Sequence, residues 1–507
     1  MQPRATRRAT TAGQCRLGEA GSAAGASVTR WHAGNRVTAA GRCGSTIATR
    51  PAVFVAGAAL VVLLASCTVT PGSQGPAAPT PPARATALSP APALPAPAGH
   101  APTIRIVGNH FADGHGTEIR LLGVNFAGVE GACIDPGFQQ GATDQHPGAV
   151  FDYQGPNPVA VPGQPDQPAK AFFATLAAWH VNAVRFLVNE MCWLGRPANP
   201  RNNPAVAPIP QAHYGAAQYR QAIETFVASL HRYGMIAVPT LGDNPCPRNG
   251  LHPPGSQYSP CGDNDQVMPD AANAPDFWRS FASTFKNDHS MAFELFNEPH
   301  PEAVRPDINV LGCWRNGCEI PGEGWRAAGM QQLIDAIRST GATQPILVPG
   351  INYSAVLYRP AGQGLTTPVG WLTPGIRPED TLNPPQLAAA NHLYDNSYDN
   401  TDLGCPHGST PDCWDNRLGI IAAQVPLVTT ELGEHDCDRS AKFINSYMNW
   451  ADTKPAAGRD RVSYLAWTFN PDYSCNDVNA TLITNWPGTP NVAGRALRAR
   501  LAKNNGR

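Results

Sequence analysis

The chain has 507 residues, enough for two ordinary domains or for one large barrel with appendages. Charged residues make up 15% and the formal net charge is −1, which excludes a general attraction to nucleic acid or anionic lipid and favours a neutral or weakly polar substrate. The 51 prolines and 48 glycines are high for a globular protein, and a disordered or processed leader is expected ahead of a folded body.

Residues 1–67 read as leader and signal peptide. Up to residue 50 the chain is rich in Ala, Arg, Gly and Thr and has no periodic apolar pattern. Residues 53–66 form the one strongly hydrophobic stretch. It is shorter than the roughly 20 residues a membrane-spanning helix needs and suits a signal-peptide core, with Arg42 and Arg50 as its positive flank. The stretch ends in Leu64-Ala65-Ser66-Cys67, which resembles a bacterial lipobox. That resemblance implies an exported protein whose Cys67 carries lipid, so that membrane contact is expected through this anchor alone; ordinary secretion with cleavage nearby is the alternative. Residues 68–102 are almost entirely Pro, Ala, Gly, Ser and Thr, a composition that cannot build a core and predicts an extended tether.

Across 103–507 short β-branched runs alternate with longer amphipathic ones, the pattern of a parallel sheet with crossover helices. Ile104–Val107 followed by Asp113, Gly114 and Glu118 predicts a short N-terminal hairpin across the bottom of the fold. Strands are then expected at 119–125, 182–188, 235–241, 291–297, 345–351, 387–394, 426–431 and 463–469. Helices are expected near 168–179, 215–233, 275–287, 323–340, 414–423, 438–452 and 491–502, with one more between the fifth and sixth strands whose position the pattern does not give. Eight such steps, with no Gly-x-Gly-x-x-Gly after an early strand, predict a (β/α)₈ TIM barrel rather than a dinucleotide-binding sheet.

Ten cysteines fall in the body: Cys133, Cys192, Cys246, Cys261, Cys313, Cys318, Cys405, Cys413, Cys437 and Cys475. In an exported domain an even number is expected to form disulfides that staple loops. Cys246 with Cys261, Cys313 with Cys318 and Cys405 with Cys413 are near neighbours, although spacing alone does not decide the pairing.

Barrel active sites lie at the C-terminal ends of the strands. Those ends carry Asn125, Arg185, Asn297, Glu298, His392, Tyr394, Glu431 and Trp467, from six different strands. Retaining cleavage of a glycosidic bond needs two carboxyl groups about 5 to 5.5 Å apart. Glu298 ends the fourth strand in Phe293-Glu294-Leu295-Phe296-Asn297-Glu298-Pro299, and Glu431 ends the seventh in Val428-Thr429-Thr430-Glu431.

With Asn297-Glu298-Pro299 after one apolar strand and Glu431 after another, the body over about 103–500 resembles glycoside hydrolase family 5, the cellulase and mannanase family of clan A. Residues Arg120 to Asn125 are similar to that family's first strand. The resemblance implies that Glu298 is the acid/base and Glu431 the nucleophile of a retaining enzyme on β-glucan, cellulose or mannan. It further implies that Asn297 bonds the sugar 2-hydroxyl, that Arg185 keeps Glu431 ionised, that His392 and Tyr394 form the sixth-strand pair, and that Trp467 is a stacking platform. Arg185 is expected to lower the pKa of Glu431, and the negative nucleophile to raise that of Glu298. The third strand departs from the family, since it runs into Asp243 and Asn244 where a histidine is common; either residue is a candidate for holding a sugar hydroxyl.

Glu294 shares strand parity with Glu298 and is expected to be a deeper structural carboxylate. Glu434 and His435 either line the cleft or are solvated, and Trp193, Trp314, Trp371 and Trp414 are either sugar platforms or residues of core packing or loop anchoring. A polysaccharide or oligosaccharide is the expected partner of a monomer, with no cofactor and no metal. A non-catalytic carbohydrate-binding lipoprotein on the same barrel is the alternative; retention of both glutamates and Arg185 argues against it. A metal-dependent hydrolase would need more His and Asp at the strand ends.

Overall fold

The computed structural model describes residues 99–130, 167–196, 215–242, 266–303, 309–321, 325–359, 369–395, 410–454, 458–471, 475–476, 480–485 and 487–505. The described residues belong to the compact unit Pro90–Arg507. Cys67, Cys133, Asp243, Asn244, Cys246, Cys261 and Cys405 lie outside them. No helix among the described residues is long and apolar enough to cross a membrane.

In chain order the first three strands are β1 (Ile104–Val107), β2 (His110–Asp113) and β3 (Glu118–Ile119), which form a three-stranded antiparallel sheet rather than the two-stranded hairpin expected. The next four are β4 (Leu122–Phe126), β5 (Ala183–Val188), β6 (Ile236–Leu241) and β7 (Phe293–Glu294). A small antiparallel pair follows, β8 (Cys318–Ile320) with β9 (Trp325–Ala327), and then β10 (Ile346–Pro349). A second small pair, β11 (Tyr358–Arg359) with β12 (Val369–Gly370), precedes β13 (Leu387–Tyr394), β14 (Leu427–Gly433) and β15 (Ser463–Ala466).

Strands β4, β5, β6, β7, β10, β13, β14 and β15 close a barrel in chain order, every neighbouring pair parallel. All eight predicted strands are present. The predicted helices recur as Gln167–Ala178, Ala216–Arg232, Ala274–Phe285, Met330–Arg338, Lys442–Asp452 and Val492–Asn505. The expected helix near 414–423 is a run of Pro411–Trp414, a π turn Asp415–Gly419 and Ile420–Ala422. The expected start at 323 is too early, because Trp325–Ala327 pairs as β9 instead. Between β10 and β13 the described residues hold the β11–β12 pair and turns, and the helix expected there is not among them.

The outer helices form for the ordinary amphipathic reason. In Ala216–Arg232 the buried positions are Tyr219, Ala222, Ile223, Phe226, Val227 and Leu230, a single stripe at three- and four-residue spacing. Its first turn is closed by Gln218, whose side chain accepts from the Gly215 N–H at 3.0 Å. In Ala274–Phe285, residues Phe277, Trp278, Phe281 and Phe285 make the same kind of stripe.

Inside the barrel, alternation sets a lower apolar layer and an upper polar one. Leu121, Ala183, Ile236, Val238, Ala292, Leu347, Ala388, Ala390, Val428 and Leu465 form one buried cluster with Ile104, Ile106 and Phe111 of the N-terminal sheet. That sheet therefore seals the barrel floor. Gln386 pins it, accepting from Ile106 N at 2.7 Å and donating to Ile106 O at 3.2 Å.

Disulfides join loops, as expected. Cys313 pairs with its near neighbour Cys318, and Cys437 beyond β14 pairs with Cys475 beyond β15, a link of 38 residues that proximity in sequence did not suggest. Cys192 and Cys413 are disulfide-bonded too.

Candidate active site

The upper layer is organised around Arg185. It sits mid-strand in β5, not at the strand end, with its side chain 0% exposed inside the barrel. A guanidinium has five N–H donors, and here every one has an acceptor. Nε donates to Glu294 Oε2. Nη1 donates to Asn125 Oδ1 at 2.9 Å and Glu431 Oε1 at 2.7 Å. Nη2 donates to Asn297 Oδ1 at 2.8 Å and faces His392 Nε2 at 3.5 Å. One side chain thus ties β5 to residues from or just beyond four other strands.

Asn125 and Glu294 are braces beneath the site. Asn125 is buried, and its amide Nδ2 donates to Thr430 O and Leu465 O, so both ends of the side chain are engaged by protein rather than presented to a ligand. Glu294 is the deep structural carboxylate expected; its Oε2 also accepts from Thr240 Oγ1 at 2.7 Å. Burial opposes its ionisation, but the Arg185 charge, with help from Thr240, holds it below the usual carboxylate range.

Glu431 reaches this layer only because β14 bulges. Val428 points into the barrel and simple alternation would turn Glu431 outward. The ladder shifts between Asn391↔Thr429 and His392↔Glu431, and β14 shifts against β15 over the same span. One extra residue reverses the parity, aims Glu431 inward and sends Leu432 into the outer core. Tyr394 Oη donates to Glu431 Oε2 at 2.5 Å.

Glu298 follows β7 with φ +53°, a left-handed backbone seldom taken by glutamate. Its Oε1 is 2.8 Å from His392 Nδ1, and the same nitrogen is 3.5 Å from Glu431 Oε2. One carboxylate oxygen of Glu298, one of Glu431 and a ring nitrogen of His392 all lie within 4.8 Å of one another. The two glutamates, more than a hundred residues apart in sequence, therefore meet on one rim.

Burial pushes the His392 imidazole down to about 4. A neutral ring fits its contacts: Nε2 accepts from Arg185 while Nδ1–H donates to Glu298. Burial also pushes the Glu431 carboxyl up, against the pull of Arg185 and the Tyr394 hydroxyl. The expected Arg185 contact is present, but burial outweighs it and reverses the expected direction. Trp467 lies just past β15, partly buried, with its backbone N–H donating to Leu432 O at 2.9 Å.

A scan against family models matches residues 146–473 to the cellulase model, glycosyl hydrolase family 5. The chain belongs to glycosyl hydrolase family 5. Several solved structures are similar to this family 5 chain. One is a β-glucanase from Saccharophagus degradans in complex with cellotetraose, at 21% identity over 81% of this chain and 98% of that one, TM-score 0.49. A second is a triple mutant of an endo-β-1,4-glucanase from Xanthomonas axonopodis pv. citri, at 18% identity over 76% and 100%, TM-score 0.43. A third is the catalytic domain of Thermobifida fusca endoglucanase Cel5A, at 13% identity over 79% and 97%, TM-score 0.44. No curated protein matches the chain.

Other expectations resolve within this family 5 barrel. Trp193, Trp314, Trp371 and Trp414 are all buried in the hydrophobic core rather than offering open faces; Trp193 Nε1 donates to Ser280 Oγ and Trp314 Nε1 to Pro349 O. Glu434 neither lines the cleft nor faces solvent: its oxygens accept from Lys442 N and Ile444 N and close the start of the helix Lys442–Asp452. His435 bonds Asp395 through both its backbone N–H and Nδ1.

Glu130 was not foreseen. It lies past β4, buried, with Oε2 accepting from Gly128 N at 2.8 Å. Burial pushes its carboxyl up from 4.5 to about 7. A folded value above the unfolded one means the proton stabilises the fold below pH 4.5, and this contribution is lost as the pH rises through 7. Glu130→Gln keeps an acceptor for Gly128 and has no proton to lose. Relative to wild type it should therefore gain stability progressively between pH 4.5 and 7, by up to on the order of 3 kcal/mol. Calorimetric melting at a series of pH values reads this directly; a pH-independent offset between the two proteins would show that Glu130 is not the titrating group.

Proposed function

We propose that this family 5 chain is a retaining glycosidase of β-1,4-linked glucan in which Glu431 is the nucleophile and Glu298 the acid/base. The observation that carries the reading is the approach of the two carboxylates to within 4.8 Å. Retaining enzymes hold the pair about 5 to 5.5 Å apart, whereas inverting ones leave about 6.5 to 9.5 Å for a water.

The assignment of roles follows from the partners. Glu431 has a fixed cation at 2.7 Å and a phenol donor at 2.5 Å, which orient and stabilise an attacking carboxylate. Glu298 is paired with a neutral imidazole and is the more open of the two, as an acid that must reach a leaving group requires. In the first step Glu431 forms a bond to the anomeric carbon as the bond to the leaving oxygen breaks, and the Glu298 proton goes to that oxygen. In the second, Glu298 takes a proton from water, whose oxygen displaces Glu431. Tyr394 is positioned to transfer its hydrogen bond toward the ring oxygen as Glu431 is consumed. Asn297, whose Oδ1 is fixed by Arg185, offers its amide to the 2-hydroxyl, and Trp467 offers a flat face to a pyranose ring. Asp243 and Asn244 are proposed to hold a further hydroxyl.

The description of the matching family as cellulase supports glucan over mannan. For the whole chain we propose a leader to residue 67, a tether over 68–102 and a catalytic body over 103–507, exported as a monomer. The Leu64-Ala65-Ser66-Cys67 motif behind an apolar run supports a lipid at Cys67.

Purified protein is to be assayed on β-1,4-glucan, β-1,3-glucan and β-mannan, with proton NMR on the fresh product. Cleavage of β-1,4-glucan with the β-anomer appearing first is expected. An α-anomer would overturn the double displacement, and binding without cleavage would make the protein a carbohydrate binder.

A further inference from the structure

Beyond β10 the chain makes a turn that none of the preceding chemistry uses. Asn352, Tyr353 and Ser354 are three consecutive residues with φ of +55°, +56° and +62°. Left-handed backbone is unfavourable for residues with a Cβ, and a run of three persists only where surrounding contacts enforce it. The ends are locked: Ile351 and Val356 exchange backbone bonds at 3.0 Å in both directions, and Ala355 N donates to Asn352 O at 3.0 Å.

The turn makes two contacts toward Glu298. Ser354 O accepts from His392 N at 3.2 Å, and His392 Nδ1 in turn holds Glu298 Oε1 at 2.8 Å. The Tyr353 ring lies on the His300 ring, with centroids 4.0 Å apart and planes 14° from parallel. His300 is buried, and its Nδ1 lies 2.7 Å from Glu298 O, the carbonyl of a residue itself in the left-handed region. One strained turn thus supports both ends of the same residue, the carboxylate through His392 and the backbone through His300.

We infer that the Asn352–Tyr353–Ser354 turn is a positioning element for Glu298, with Tyr353 acting through the His300 stack to fix the direction of the acid's proton. This inference rests on the acid/base role proposed above. A misdirected acid penalises substrates in proportion to how much protonation their leaving group needs. A merely loosened fold penalises all substrates alike.

The test uses Tyr353→Asn, since asparagine tolerates the left-handed backbone but removes the ring. Tyr353→Phe, which keeps the stack, serves as the conservative rescue. Each variant is assayed for kcat/KM on a β-1,4-gluco-oligosaccharide, whose leaving alcohol needs a proton, and on a 2,4-dinitrophenyl β-cellobioside, whose leaving group does not. Tyr353→Asn is expected to lose about 10- to 100-fold on the oligosaccharide and less than about 3-fold on the aryl glycoside, with Tyr353→Phe close to wild type on both. Equal losses on the two substrates, or no loss on either, would overturn the inference. Glu298→Ala run alongside separates the two levels. If it shows the split and Tyr353→Asn does not, the positioning role alone fails; if it shows no split, the acid/base assignment has failed first.

Discussion

Glu431→Gln is expected to leave a folded protein whose turnover of β-1,4-glucan falls by at least about 10⁴-fold, because a nucleophile that acts as a unit with its acid has no partial substitute. The amide is nearly isosteric. Its oxygen can accept from Arg185 Nη1, now 2.7 Å from the carboxylate, and its NH₂ can donate to the Tyr394 hydroxyl, now 2.5 Å away. Since burial already pushes the Glu431 carboxyl up, removing the charge does not strip the fold of a favourable ion. Melting temperature and turnover should therefore part company, the first nearly unchanged and the second almost gone. Glu431→Ala offers a sharper check. A small anion such as azide, in the space the side chain vacates, should attack an activated aryl β-glycoside from the same face and yield the α-glycosyl azide. Glutamine at 431 with more than about one hundredth of wild-type turnover would remove Glu431 from the reaction.

Arg185→Met should be the most damaging single change to stability. It removes the donor from Glu431 Oε1, Asn125 Oδ1 and Asn297 Oδ1 and leaves the Glu294 carboxylate with Thr240 but no countercharge, and breaking a buried pair on one side costs about 3–5 kcal/mol. For a body of this size that corresponds to a fall in melting temperature of roughly 5 °C. The pH dependence has a definite sign. Arg185 and its neighbours hold Glu294 below its ordinary 4.5, so the stability this pair contributes is present above pH 4.5 and lost as the pH falls through the depressed folded value. The gap between variant and wild type should accordingly be widest near neutrality and narrow in acid; a gap independent of pH would mean that packing of the side chain, not its charge, is what matters. Arg185→Lys keeps the charge but not the five-donor fork, so it should recover part of the stability and little of the activity.

Much of this was legible in the primary structure because it depends on local pattern. Each barrel strand is a short apolar run, and polar residues at or near the ends of six of them let Glu298, Glu431, Arg185, His392 and Tyr394 be named together. What could not be read depends on contacts made only in the closed barrel. Alternation alone gives Glu431 the wrong face, because the extra residue in β14 is visible only against its neighbours β13 and β15. Asn125 looked like a ligand-binding amide until Thr430 O, Leu465 O and Arg185 accounted for both of its ends. Arg185 was expected to lower Glu431, and the contact exists, but the depth of the site was not readable and burial reverses the outcome. Glu130 carries no motif, and its high carboxyl value arises from burial that only the folded chain reveals. The crossover between β10 and β13 resisted assignment because its described part has no helical period to find.

The apolar layer of Ile104, Ile106 and Phe111 closes the barrel beneath its packed interior, which leaves the opposite rim, with Glu298 and Glu431, as the face for a substrate. Under the proposed double displacement, the departing end of the sugar chain leaves from the same rim at which the incoming water arrives. The glycosyl–enzyme then waits for whichever hydroxyl enters next, and at high sugar concentration that hydroxyl belongs to another glycan. Under that reading, the balance between shortening chains and rejoining them is set by what arrives at the rim and not by the two glutamates that stand on it.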